Sequence, residues 1–187
     1  FGMEIDEVSD EQRSAAKAVN FGIVYGITNW GLARQLSCDV DRATLIIDDY
    51  KSKFNGIQSF LDQCTDQAIE HGYVETIMKR RRPIYSIDSL NPQQQSLGKR
   101  IAINSVVQGS AADLIKIAMI NVQNKLCSTC EEARLLLQIH DELVVEVPEE
   151  SADRVRDFLV DEMESAMKLL VPLIADSSVA TNWAECK

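Results

Sequence analysis

No apolar run in this 187-residue chain approaches the roughly 20 residues that a membrane-crossing helix needs. The opening segment "FGMEIDEVSD" also lacks the basic and apolar regions of a secretory signal. Both absences predict a soluble, cytoplasmic protein with no membrane partner. Histidine is scarce, with only His71 and His140. Cysteine is odd in number, at five, and without a secretory signal the thiols are expected to be reduced. Cys127 and Cys130 form one C-x-x-C, but no second pair or nearby histidine completes a zinc site, and no thioredoxin-like βα pattern surrounds them. Internal repeats and low-complexity linkers are also missing, so no interdomain boundary is expected.

A hydrophobic content of 45% is ample for a packed core. The net charge of -10 argues against a protein that coats nucleic acid unspecifically, but the charge is uneven. The segment "KRRRP" at Lys79–Pro83 is strongly basic, whereas the last third is acidic.

Periodicity and capping signals predict an α+β order. "SDEQ" makes a capping box of Ser9 with Gln12, which starts a helix running to about Tyr25. Helices are expected after Asn29 and over about 41–54, 56–71, 92–126 and 151–169. "GYVETIMKRRRPIYSI" alternates and contains Pro83, which suggests a small hairpin with an edge strand. A second hairpin is expected over Leu135–Pro148, and a terminal strand near Ser178–Trp183.

In "RSAAKAVNFGIVYG", Arg13, Lys17, Phe21 and Tyr25 recur at i, i+4 intervals and so share one side of a helix. The two cations lie about 6 Å apart along the axis, a spacing suited to successive phosphates, and the aromatics offer a platform for a base or sugar. Gly22 and Gly26 each cost about 1 kcal/mol relative to Ala within a helix, which often marks a close approach by another group. The alternative is an ordinary amphipathic helix with Phe21 and Tyr25 in the core and the cations solvated.

A second stripe lies in "GKRIAINSVVQGSAADLIK", where Arg100, Asn104, Gln108 and Lys116 share one register among apolar neighbours. Arg, Asn and Gln hydrogen-bond to base edges and sugars, although a plain solvated stripe would look the same. The third constellation is "LLLQIHDELVVEVP", in which His140, Asp141 and Glu142 separate two apolar runs. A tight turn here favours glycine, which Asp-Glu does not supply. The segment is either a solvated acidic turn or a place where Asp141, with Glu142, holds a hard cation such as Mg²⁺ beside a phosphate-bearing substrate.

Taken together, these segments resemble the polymerase domain of family A DNA polymerases, the bacterial DNA polymerase I family. "RSAAKAVNFGIVYG" is similar to the fingers-helix motif R-x-x-x-K-x-x-x-F/Y-G-x-x-Y-G, and "QIHDELVVEVP" to the last palm motif centred on H-D-E. "GYVETIMKRRRPI" and "AINSVVQGSAADLIKIAM" match the pattern between them, and "TNWAECK" looks like its C-terminal end.

The resemblance implies a helical fingers subdomain, over about 9–91, and a partial antiparallel palm sheet carrying the H-D-E hairpin within about 92–187. It implies that Arg13 and Lys17 contact the phosphates of the incoming deoxynucleoside triphosphate, that Phe21 packs on its sugar and base, and that Tyr25 sits beside the templating base. Asp141 would bind catalytic Mg²⁺ with Glu142 nearby, Gln138 and His140 would touch the primer end, and Arg100, Asn104 and Gln108 would line the primer-template minor groove. Ser14, Gln95 and Lys99 stand where many relatives have Arg, Arg and Glu.

The family's first catalytic aspartate belongs to a D-Y-S-Q-I-E-L-R segment upstream of the fingers helix, and this chain starts after that point. Two-metal phosphoryl transfer needs both carboxylates, so the fragment is expected to be inactive without the upstream remainder of the polymerase domain. The main rival is a noncatalytic nucleic-acid-binding module. A metal-dependent phosphohydrolase ranks third, because nothing supplies a second acidic cluster or a base for water.

Overall fold

The computed structural model describes residues 4–186. Helices and two short antiparallel hairpins give an α+β order, and the chain divides into two compact units, Phe1–Gly109 and Ser110–Lys187.

In the first unit, α1 (Asp10–Val24) begins at the predicted capping box. The Gln12 amide donates to Ser9 Oγ at 3.3 Å, and the Ser9 amide donates to the Gln12 side-chain oxygen at 2.9 Å. Gly26 has φ 74° and lies just beyond the helix, where a residue without Cβ takes the left-handed geometry freely. Its amide and that of Ile27 donate to the carbonyls of Ile23 and Gly22, which closes the last turn. Gly26 is therefore a cap rather than an interior helix breaker, and only Gly22 carries the interior cost.

Thr28 caps α2 (Asn29–Leu36) and Asp39 caps α3 (Val40–Lys53), each accepting a backbone amide three residues on. Ile23, Leu32, Ala33, Ala43 and Ile47 from α1–α3 form one buried cluster. A second cluster joins α4 (Asn55–His71), β1 (Tyr73–Glu75), β2 (Arg81–Pro83) and the start of α5 (Pro92–Thr129) through Ala68, Val74, Ile84, Ile87 and Ala102. Burying each Val or Ile contributes about 1.5–3 kcal/mol, enough to seat a hairpin of two three-residue strands that is marginal alone. Its register pairs Val74 with Arg82 and Glu75 with Arg81.

In the second unit, the rest of α5, β3 (Arg134–Ile139), β4 (Glu142–Glu146) and α6 (Ala152–Glu164) enclose Val122, Leu126, Ala133, Val155 and Phe158. β3 and β4 pair antiparallel, with Leu135 opposite Val145 but Leu137 opposite Val144, so Leu136 is an extra residue. Such a bulge inverts the in-out alternation of every later residue in β3.

α6 is shorter than predicted. Ser165 Oγ donates to the carbonyl of Asp161, and the Ala175 amide donates to Glu164, turning the chain back on the helix end. The expected strand near Ser178–Trp183 does not form. Strands exist by pairing, and this segment has no partner strand among the described residues.

Candidate functional site

Arg13, Lys17 and Phe21 are all exposed along one side of α1, while Ile23 and Val19 point to the core. Phe21 is 55% exposed and Tyr25 is half-buried, so the ordinary core-helix alternative is set aside. Their rings lie parallel, 7° apart in plane with centroids 6.4 Å apart, and present flat aromatic surface to one side. Neither Arg13 nor Lys17 has an ion-pair partner among the described residues, which leaves both charges free for an anion.

Beside this face opens a cavity of about 590 Å³ lined by Lys17, Phe21, Tyr25 and Arg100, with Gly22 and Gly26 in its wall. The size is that of small-molecule sites. Arg100 reaches it because Gly26 has no side chain, since a Cβ there would lie 3.3 Å from Arg100 Cγ. Gln108 Nε2 donates to Tyr25 Oη at 3.4 Å, a long bond that ties the α5 stripe to the aromatic end of α1. On the same stripe, Asn104 Oδ1 is buried without a hydrogen-bond partner among the described residues. Lys116 is exposed in the second unit. Arg13 does not line the cavity, whereas Ser14 and Gln35 do. Neither of these two was named as a site residue from sequence. Ser14 shares the helical period of Lys17, Ala18 and Phe21, but Gln35 arrives through the packing of α2 and carries no local signal. A larger cavity of about 750 Å³ lies on the opposite flank of α1. It is largely apolar, lined by Ala15, Val19, Ile46, Tyr50 and Phe54 among others, and contains none of the predicted residues.

The basic segment forms the β1–β2 hairpin. Arg81 Nε lies 3.0 Å from Glu75, Lys79 Nζ lies 3.6 Å from it, and the Arg81 guanidinium sits 4.6 Å from the Tyr73 ring centroid. The hydrogen bond from Arg81 holds the Glu75 carboxyl below its usual range against partial burial, and the same bond raises Arg81.

On the second unit's hairpin, Gln138, His140, Asp141 and Glu142 are all exposed. The two-residue turn is His140-Asp141, with Ile139 paired to Glu142, so Glu142 opens β4 instead of completing the turn. His140 supplies the unusual geometry that glycine would otherwise provide, at φ 53°, and the Gln138 side chain donates to its carbonyl. Neither Asp141 nor Glu142 has an ion-pair partner among the described residues, where no group of three or more His, Cys, Asp and Glu is placed to hold a metal. All five cysteines are free thiols. No helix of the described residues is long and apolar enough to cross a membrane.

This α+β arrangement is that of a nucleic-acid polymerase domain. The polymerase domain of Pol1 from M. smegmatis, solved in complex with DNA primer-template and dNTP, matches it with a TM-score of 0.88 and 39% identity, over 92% of this chain and 30% of that one. The family model for DNA polymerase family A matches residues 1–185, and the chain belongs to that family. DNA polymerase I of Streptococcus pneumoniae is 43% identical over 188 residues, covering 100% of this chain and 21% of the relative. That of Caldicellulosiruptor bescii is 42% identical over 187 residues, covering 100% of this chain and 22% of the relative. The chain thus spans about a fifth of the length of the curated relatives it matches.

Proposed function

We propose that the parent protein performs template-directed DNA synthesis by nucleotidyl transfer from deoxynucleoside triphosphates, and that this chain alone does not. The observation that carries the reading is the cavity in which the Lys17 and Arg100 cations meet the parallel rings of Phe21 and Tyr25. Cations paired with a flat apolar surface suit a triphosphate joined to a base. Support also comes from the M. smegmatis domain, whose bound primer-template and dNTP are the partners proposed here.

In nucleotidyl transfer the primer 3′-oxygen bonds to the α-phosphorus, while the bond to the bridging oxygen breaks and pyrophosphate leaves. Arg13 and Lys17 hold the triphosphate, Phe21 supports the sugar and base, and Tyr25 stands at the templating position. Arg100, Asn104 and Gln108 track the minor groove, whose base edges and sugars suit their donors and acceptors. Asn104 Oδ1, buried without a partner among the described residues, would accept a donor only after local rearrangement.

Asp141 and Glu142 are adjacent, exposed carboxylates, without ion-pair partners among the described residues, and fit a hard cation that also takes phosphate oxygens. These residues would hold Mg²⁺, which when bound neutralises charge on the attacking and leaving oxygens. Gln138 and His140 fix the turn that aims them and face the primer end. Two adjacent carboxylates do not complete a two-ion site, so the remaining acidic ligand belongs to the rest of the parent. In this reading about 9–91 serve as fingers and 92–187 mainly as palm, acting in the cytoplasm.

The test is Lys17→Ala in the full-length parent. Loss of a charge-assisted phosphate contact should lower nucleotide incorporation efficiency tenfold or more, with primer-template affinity unchanged. Wild-type nucleotide kinetics would remove Lys17 from the site.

A further inference from the structure

We propose that the β1–β2 hairpin and the turn after it form a separate contact for a single-stranded stretch of nucleic acid, with Arg82 on its phosphates and Tyr85 stacked on a base. The proposal goes beyond the polymerase reading and rests on it only for the class of partner.

Charge comes first. Residues 73–85 contain four cations, Lys79 to Arg82, against one carboxylate, Glu75, a local excess of three in a chain of net charge -10. Glu75 answers two of them, Lys79 and Arg81, and Arg80 is engaged as well. Arg82 is exposed and has no ion pair or hydrogen bond with its side chain among the described residues. Its backbone is fixed, because it pairs with Val74 and is followed by buried Ile84. A free guanidinium on a rigid support loses little freedom on binding phosphate.

An exposed aromatic ring follows this charge closely along the chain. Tyr85 is 94% exposed and lies three residues after Arg82. A bare ring together with a free guanidinium is the combination that holds single strands, where every base offers a face for stacking. A duplex hides those faces. An anionic membrane would be served by the cations without the ring.

A Cβ on Gly109 would lie 2.7 Å from Thr76 Cγ2, so the hairpin turn is seated directly on α5, one residue from Gln108. The hairpin that carries Arg82 is therefore seated against the helix that bears the polar stripe which the polymerase reading assigns to primer-template.

The experiment uses the full-length parent and a fluorescent oligothymidylate, with a blunt duplex and anionic phosphatidylserine vesicles as comparisons. Arg82→Ala should lower the log-log salt slope of oligothymidylate binding by roughly 0.7, one phosphate's worth for a single strand, and Arg82→Lys should restore it. Tyr85→Ala should weaken oligothymidylate binding about fivefold or more, with blunt-duplex binding unchanged and Tyr85→Phe close to wild type. Both side chains are exposed, so the fold is retained. Wild-type oligothymidylate binding in Arg82→Ala and Tyr85→Ala would overturn the proposal, and the polymerase reading would still stand on Lys17→Ala. Arg82-dependent binding of the vesicles without oligothymidylate binding would overturn it in favour of a membrane. Failure of the wild-type parent to bind either nucleic acid would overturn both readings.

Discussion

Gln108 on α5 donates its side-chain amide to the phenol oxygen of Tyr25 at the end of α1, across 3.4 Å. This joins residues 83 positions apart and links two stripes that the sequence presents separately. A bond this long contributes less than about 1 kcal/mol, so its role is positional. Tyr25→Phe is expected to shift the chain's stability by under about 0.5 kcal/mol in urea unfolding. Gln108→Ala removes both the tie and a proposed groove contact, and should weaken primer-template binding by the parent several-fold. Equal affinity for Gln108→Ala and wild type would confine Gln108 to its contact with Tyr25.

Phe21 presents an exposed ring without a hydroxyl. At the proposed sugar-binding position, nothing on that ring replaces the 3′-hydroxyl missing from a dideoxynucleotide. Phe21→Tyr in the parent is expected to narrow discrimination against chain terminators, read as the ratio of deoxy to dideoxy incorporation. An unchanged ratio would move Phe21 away from the sugar.

The sequence made the regular elements legible and the tertiary devices far less so. Ser9 and Gln12 announce α1 because capping is local, and the four-residue stripe along α1 follows from helical geometry. The bulge at Leu136 was hidden, since it falls within three consecutive leucines whose pattern is the same in either register. The turn was assigned one residue late, because a histidine at φ 53° is a choice the surrounding strands impose rather than one its own propensity favours. Gln35 reaches the cavity only once α2 has packed against α1, and no neighbour in sequence signals that. The predicted terminal strand fails for the complementary reason, because apolar alternation cannot supply a partner.

Gly109 is needed for space. A methyl there would meet Thr76 Cγ2 at 2.7 Å, well inside contact distance. Gly109→Ala is expected to cost about 1–3 kcal/mol in urea unfolding, the range for overpacking. Thr76→Ser removes that methyl while keeping the hydroxyl that accepts the Arg80 amide at 3.2 Å, so the double variant should recover most of the loss. Additive losses would place the strain elsewhere.

Glu75 gives the hairpin its pH dependence. Its folded carboxyl is held below the usual value by the hydrogen bond from Arg81, together with the charges of Lys79 and Arg81. The folded form therefore binds its proton later than the unfolded form as pH falls. The stabilisation is fully present above the ordinary glutamate value of about 4.3 and disappears as pH drops through the lower folded value. A carboxyl-carbon NMR titration should find Glu75 with a midpoint below those of ordinary exposed glutamates, and Arg81→Ala should return it to them. A normal midpoint in the wild type would show that the pair does not persist in solution.

Asp141 is the proposed metal ligand on the β3–β4 hairpin. Its turn is defined, with His140 held at positive φ, Gln138 bonded across the turn and Ile139 paired to Glu142, while its own exposed carboxylate has no ion-pair partner among the described residues. A single acidic turn cannot fix two divalent ions about 3.5–4 Å apart, so the 187-residue chain is expected to show no nucleotidyl transfer with Mg²⁺, primer-template and deoxynucleotides. In the full-length parent, Asp141→Ala should abolish incorporation while primer-template binding stays near wild type, because the proposed binding is spread over Arg100, Asn104, Gln108 and further phosphate contacts. Glu142→Ala should be milder, since Glu142 belongs to β4 and its backbone is held by the ladder to Ile139. Robust synthesis by the bare chain, or near-normal turnover in Asp141→Ala, would separate this hairpin from the chemistry.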